Sequence, residues 1–220
     1  MKYPQPAQRL RATGFTLVEA MIAVTLLAIL FLSVLQASSR ASSAFDEGSA
    51  EHALSQSTHR CLERVSQALE FATQASFTAG NVANPSLGDD HVTFQVPVDF
   101  ADGGVTWTTV QLTTEIEPGE LKDGADNDGD GLIDELRVVK IQNVGAPDEI
   151  RTVLATGVPE LFPGESANNL DDNGNQLIDE AGLSFLAQGD VLTIRLACQR
   201  RDDAGRLLTK TAETAVRLRN

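Results

Sequence analysis

Gly14-Phe15-Thr16-Leu17-Val18-Glu19 stands directly ahead of an apolar run that continues to about Gln36. Between Phe15 and Ala37 only Glu19 is charged, so the run reaches the roughly 20 residues that a membrane-crossing helix needs. A carboxylate deep in such a helix costs about 2.5 to 3.5 kcal/mol on insertion scales, which makes Glu19 a functional residue in need of a partner. Lys2, Arg9 and Arg11 form a short basic leader upstream. A secretory signal carries its small-residue cleavage site after the apolar run; here the processing-type junction, Gly14-Phe15, lies before it.

At this point the residues resemble the type IV prepilin family, whose members are cut after a glycine and carry Phe-Thr-Leu-(Ile/Val/Leu)-Glu at the new N-terminus. Gly14, Phe15, Thr16, Leu17, Val18 and Glu19 match that motif position by position. The resemblance implies cleavage between Gly14 and Phe15 by a prepilin peptidase and methylation of the Phe15 amine. It implies single-pass storage in the inner membrane, with the C-terminal domain in the periplasm or extracellular filament, and assembly with other pilins or pseudopilins. It also implies that the Glu19 carboxylate neutralises the Phe15 ammonium of a neighbouring subunit, an ion pair poorly screened because it is out of water. A plain signal anchor with a chance glutamate would need glycine, aromatic, acid and basic leader all to coincide.

The 220 residues, minus a leader over 1–14 and a membrane segment over 15–37, leave enough for one domain with a proper core. The net charge of −14 becomes −17 once Lys2, Arg9 and Arg11 leave with the leader. Such a surface repels phosphate backbones, and the short group Arg195, Arg200, Arg201 and Arg206 reads as strand faces and a turn, so no nucleic-acid partner is expected. Cys61 and Cys198 each fall on an apolar stripe, which leaves one disulfide and two buried thiols as open alternatives.

Leu54, Cys61, Val65, Leu69 and Ala72 recur at helical spacing, so an amphipathic segment over 38–76 is expected to continue the membrane helix, with Gly48 as a bend. A helix over 15–75 would be roughly 90 Å long at about 1.5 Å per residue, the long-spine layout of pilins. Residues 59–75 loosely resemble a helix of minor pilin-like subunits. Gly80, Asn84, Pro85 and Gly88 break the pattern. Alternation then predicts strands: Val92, Phe94, Val96 and Val98 on one face, Val110, Leu112, Thr114 and Ile116 on another, and further strands over 136–143, 151–158, 183–187, 191–200 and 207–218. Asp202-Asp203-Ala204-Gly205 reads as the turn of a terminal hairpin. The expected class is α+β, a pilin-like long N-terminal helix packed on a mainly antiparallel sheet, with a β-rich domain over 77–220.

Two loops interrupt the strands, over 123–135 and 168–180, and both close on Leu-Ile-Asp-Glu. In the first, Asp126, Asp128 and Asp130 alternate ahead of Gly131, and Asp134 arrives where a ninth loop position would be. That is oxygen-ligand spacing for calcium, but the helix-loop-helix motif wants a glutamate where Arg137 stands. The loop resembles instead the short Asp-rich calcium repeats of secreted bacterial proteins. The second offers Asp171, Asn173, Asn175 and Asp179, with amides in place of carboxylates and Gln176 in place of the glycine, so it should bind Ca²⁺ more weakly. Asp and Asn runs are also what plain exposed turns use.

No arrangement reads as an active site: His52, His59 and His91 are scattered, and Cys61 has no neighbouring base. The expectation is therefore a minor pilin or pseudopilin of a type II secretion system or type IV pilus, not an enzyme. A calcium-dependent adhesive module on a pilin anchor is the competing class.

Overall fold

The computed structural model describes residues 14, 16–73, 76–79, 88–101 and 104–219. Helix α1 spans Leu17–Leu69, and the chain divides into two compact units, Met1–Phe45 and Asp46–Asn220. In the first unit the helix starts with a reciprocal cap. The Glu19 carboxylate accepts from the backbone N–H and the hydroxyl of Thr16, both at 2.9 Å, while the Thr16 hydroxyl accepts from the Glu19 N–H at 3.2 Å. Behind it Leu17, Met21, Ile22, Leu26, Leu30 and Phe31 are all more than half exposed. The helix is long and apolar enough to cross a membrane, where that exposure is favourable rather than costly.

In the second unit the helix buries one stripe. Leu54, Cys61, Val65 and Leu69 are the expected positions, joined by Thr58 and Leu62. The helix stops at Leu69, short of the expected 75 or 76, and the backbone shows why. Ala72 donates to the Leu69 carbonyl, and the Ala72 carbonyl accepts from the N–H of Arg219, so the far end of the chain pairs where another helical turn would have been. Of the expected breakers, Gly80, Asn84 and Pro85 lie outside the described residues.

Strands β1 (Thr78–Ala79), β2 (Val92–Ala101), β3 (Gly104–Ile116), β4 (Leu136–Gln142) and β5 (Ile150–Val158) form one sheet in that order; β6 (Leu183–Gln188), β7 (Val191–Arg201) and β8 (Leu207–Arg217) form a second. All named pairings are antiparallel, and the sequence anticipated one sheet where the structure has two. Val92 and Phe94 are buried as expected, but the register shifts between Pro97 and Asp99, and Val98, the residue at that shift, is exposed. Val110 and Leu112 are buried and Ile116 is not. Leu192, Ile194, Leu196 and Cys198 all face inward, and the Asp202–Gly205 turn closes the β7–β8 hairpin through the Gly205 N–H to the Asp202 carbonyl at 2.8 Å. Cys61 and Cys198 are buried free thiols rather than a bridge. The result is an apolar N-terminal helix packed, over its second part, on antiparallel sheets: the α+β arrangement that the prepilin resemblance implies.

Candidate functional site

At the N-terminus Gly14 is exposed and Phe15, the residue expected to be methylated, lies outside the described residues. Glu19 is exposed in the first helical turn, its carboxylate held by Thr16.

The second candidate is the pair of loops, and they are structural copies at an offset of 45 residues, from Asp134 to Asp179. Asp126 accepts from the N–H of Gly129 at 2.6 Å and of Gly131 at 3.0 Å; Asp171 accepts from Gly174 at 2.6 Å and Gln176 at 2.8 Å. Asp128 accepts from the Asp130 N–H, and Asn173 from Asn175, both at 3.0 Å. Asp130 accepts from Leu132, and Asn175 from Leu177, both at 2.8 Å. Leu132 and Leu177 are buried and pin each loop to the domain. Gln176 takes the left-handed conformation of Gly131, with φ +73° against +89°, so the missing glycine does not change the path of the loop.

Asp134 holds the start of the loop. Its carboxylate accepts from the N–H of Asp123 at 3.0 Å and of Gly124 at 2.9 and 3.1 Å, and Asp179 holds Asn168 and Asn169 in the same way. The closing acids therefore fasten the loop mouth. The carboxylates that do converge are two groups sharing Asp128: Glu120 with Asp126 and Asp128, and Asp128 with Asp130 and Glu135, each with ligand atoms within 4.8 Å of one another.

Glu120 was absent from the expected set. It is buried and accepts from the backbone N–H of Asn127 at 2.8 Å, Asp128 at 2.9 Å and Asp134 at 3.3 Å. Glu165 is its copy, accepting from Asn173 and Asp179 at 3.2 Å. A sequence signal existed: Pro118-Gly119-Glu120 recurs as Pro163-Gly164-Glu165 at the same offset, so the repeat is longer than its Leu-Ile-Asp-Glu ends. Gly119, at φ +108°, brings the backbone so close to the loop that a Cβ would meet the Asp128 Cβ at 2.9 Å.

Glu135 is only 2% exposed, and neither of its carboxylate oxygens has a hydrogen-bond partner among the described residues. Burial pushes its carboxyl up to about 7, opposed by its own backbone N–H and reinforced by Asp130, Glu120 and Asp128. Burial likewise raises Glu117, which the nearby Asp130 and Asp128 reinforce. The copy of Glu135, Glu180, is fully buried and partnered at one oxygen: Asn175 Nδ2 donates to Oε2 at 2.7 Å and Arg195 Nη1 at 3.2 Å, while Oε1 has no hydrogen-bond partner among the described residues.

Comparison with known families matches residues 9–35 to the prokaryotic N-terminal methylation motif. Neither the curated proteins nor the solved structures compared with the chain give a match. The motif implies processing by a prepilin peptidase and assembly with other pilins, and together with the apolar helix it points to membrane anchoring and a structural pilin subunit. The match over residues 9–35 runs into the apolar helix, and with the antiparallel β domain behind it supports a type IV prepilin-like protein.

Proposed function

We propose that the chain is a minor pilin or pseudopilin, a structural subunit of a type II secretion pseudopilus or type IV pilus, with calcium stabilising its Asp-rich loops. The observation that carries the reading is the Gly14 to Glu19 sequence inside the matched region 9–35, directly ahead of the exposed apolar helix. The peptidase cuts between Gly14 and Phe15, the new Phe15 amine is methylated, and the helix stores the subunit in the inner membrane with residues 46–220 on the periplasmic side. Before assembly the Glu19 carboxylate is occupied by its own helix cap through Thr16. In the filament the same carboxylate accepts the Phe15 ammonium of a neighbour, and a pair out of water is worth far more than an exposed one. Calcium suits the loops because a hard cation takes six to eight oxygens, and extracellular modules commonly bind it with Kd of about 10⁻⁴ to 10⁻³ M.

Mass spectrometry of protein from the membrane fraction should find a methylated N-terminal Phe15. Glu19→Ala should be cut normally yet fail to co-purify with partner subunits, and Glu19→Gln, which keeps the cap but not the charge, should fail equally. An intact Met1 N-terminus beside an active peptidase, or full incorporation of both variants, would overturn the reading.

A further inference from the structure

The two loops fold alike but differ in one local charge balance. In the first, Asp128, Asp130 and Glu135 bring three carboxylates within 4.8 Å, one of them buried without a hydrogen-bond donor. Their copies are Asn173, Asn175 and Glu180, one carboxylate and two amides. There the Asn175 amide and the Arg195 guanidinium both donate to Glu180, and Glu213 holds Arg195 from the other side at 2.8 Å. Among the described residues no cation forms an ion pair with the first group. Arg137 turns to Glu115 at 3.0 Å, and Arg201 spends its donors on the carbonyls of Gly131 and Gly205.

We infer that the first loop holds one divalent cation on Asp128, Asp130 and Glu135, and that in the second loop the side chain of Arg195 occupies the electrostatic role of that cation, so that only the first loop depends on metal. The inference rests on the calcium reading above and narrows it to one ion and one set of ligands. A buried carboxylate with no donor is costly to fold around, and three carboxylates at one point are more so; a cation removes both costs. Where evolution of the copy left amides and an arginine, the charge is balanced by the chain itself. Calcium is favoured over magnesium because the set supplies carboxylate oxygens on a loop, without the rigid octahedron that magnesium demands.

The test uses the full processed chain in detergent micelles, titrated with CaCl₂ and separately with MgCl₂ by calorimetry, with melting temperature followed in parallel. Wild type should bind one Ca²⁺ per chain and melt higher with it than in EDTA, with little effect of magnesium. Asp128→Asn with Asp130→Asn gives the first loop the residues that the second already folds with; it should weaken binding on the order of a hundredfold and remove the calcium shift. Glu135→Gln should do the same, and Asp171→Asn should leave binding unchanged. Two ions per chain, or binding that survives the Asp128 and Asp130 changes, overturns the assignment to the first loop while keeping calcium. No ion at millimolar calcium overturns the calcium reading itself.

Discussion

Gly157→Ala tests the seam between the two sheets, which also seats the first loop. Gly157 sits in β5 at φ +65°, and a Cβ there would fall on the carbonyl oxygen of Gln199 in β7, inside van der Waals contact, with Leu132 Cδ1 at 3.4 Å. Gln199 is held in its sheet by pairing with Thr209 of β8, which limits how far the carbonyl can move. Two costs then add. Forcing alanine into the left-handed region costs about 1 to 2 kcal/mol, and parting two packed strands costs about 1 to 3 kcal/mol more. For a unit of this size that lowers Tm by about 5 to 15 °C. Gly145→Ala is the control: its φ is +76°, but no atom lies within 4 Å of the new Cβ, so only the conformational cost applies. Thermal melts of both variants, read by near-UV circular dichroism, separate the contributions. Equal losses for the two would refute the close approach of β5 to β7.

Glu120→Ala strands three backbone amides and should cost about 2 to 4 kcal/mol in urea unfolding, with Glu120→Gln costing less because one acceptor oxygen survives; an unchanged midpoint would mean the loop is not organised around this carboxylate. A thiol reagent should label neither cysteine in the native protein and both Cys61 and Cys198 once it is denatured, whereas no labelling in denaturant would reveal a bridge. Burial pushes the Cys61 thiol up to about 12. The unfolded chain ionises first, so any stability advantage of wild type over Cys61→Ala should shrink as pH rises from about 9 towards 12, and a pH-independent difference would contradict the burial.

Most of the architecture was legible because it rests on periodicity. The stripe of Leu54, Cys61, Val65 and Leu69 and the alternation of Leu192, Ile194, Leu196 and Cys198 are local patterns that burial then obeyed. What escaped depends on distant partners. Nothing in the sequence near Leu69 stops a helix; Arg219 does, by pairing with Ala72. Val98 belongs to an apolar alternation, and only the register shift in the β2–β3 pair turns it outward. The split into two sheets follows from where strands pair, which alternation does not encode. At the loops the alternating aspartates and the closing acids Asp134 and Glu135 were readable, but the backbone amides that Asp134 accepts from and the burial of Glu135 depend on the folded loop.

Glu19, Glu120 and Glu135 carry the same side chain, and what separates them is the supply of donors. At Glu19 the donors come from Thr16 three residues away, so the Thr16-x-x-Glu19 spacing alone announces the cap. That arrangement is exposed and complete within one helical turn. At Glu120 three loop amides converge, a supply that requires the loop to be folded but no second molecule. At Glu135 the described chain supplies none, and the nearest charged groups are acids of its own sign. A protein can leave a buried carboxylate so only if it is neutralised by a proton or by a cation. The copy at Glu180 shows a third solution, in which Arg195 from another strand provides the charge. The first loop carries Asp128 and Asp130 where the second has Asn173 and Asn175, and among the described residues no side chain donates to Glu135 as Asn175 and Arg195 do to Glu180.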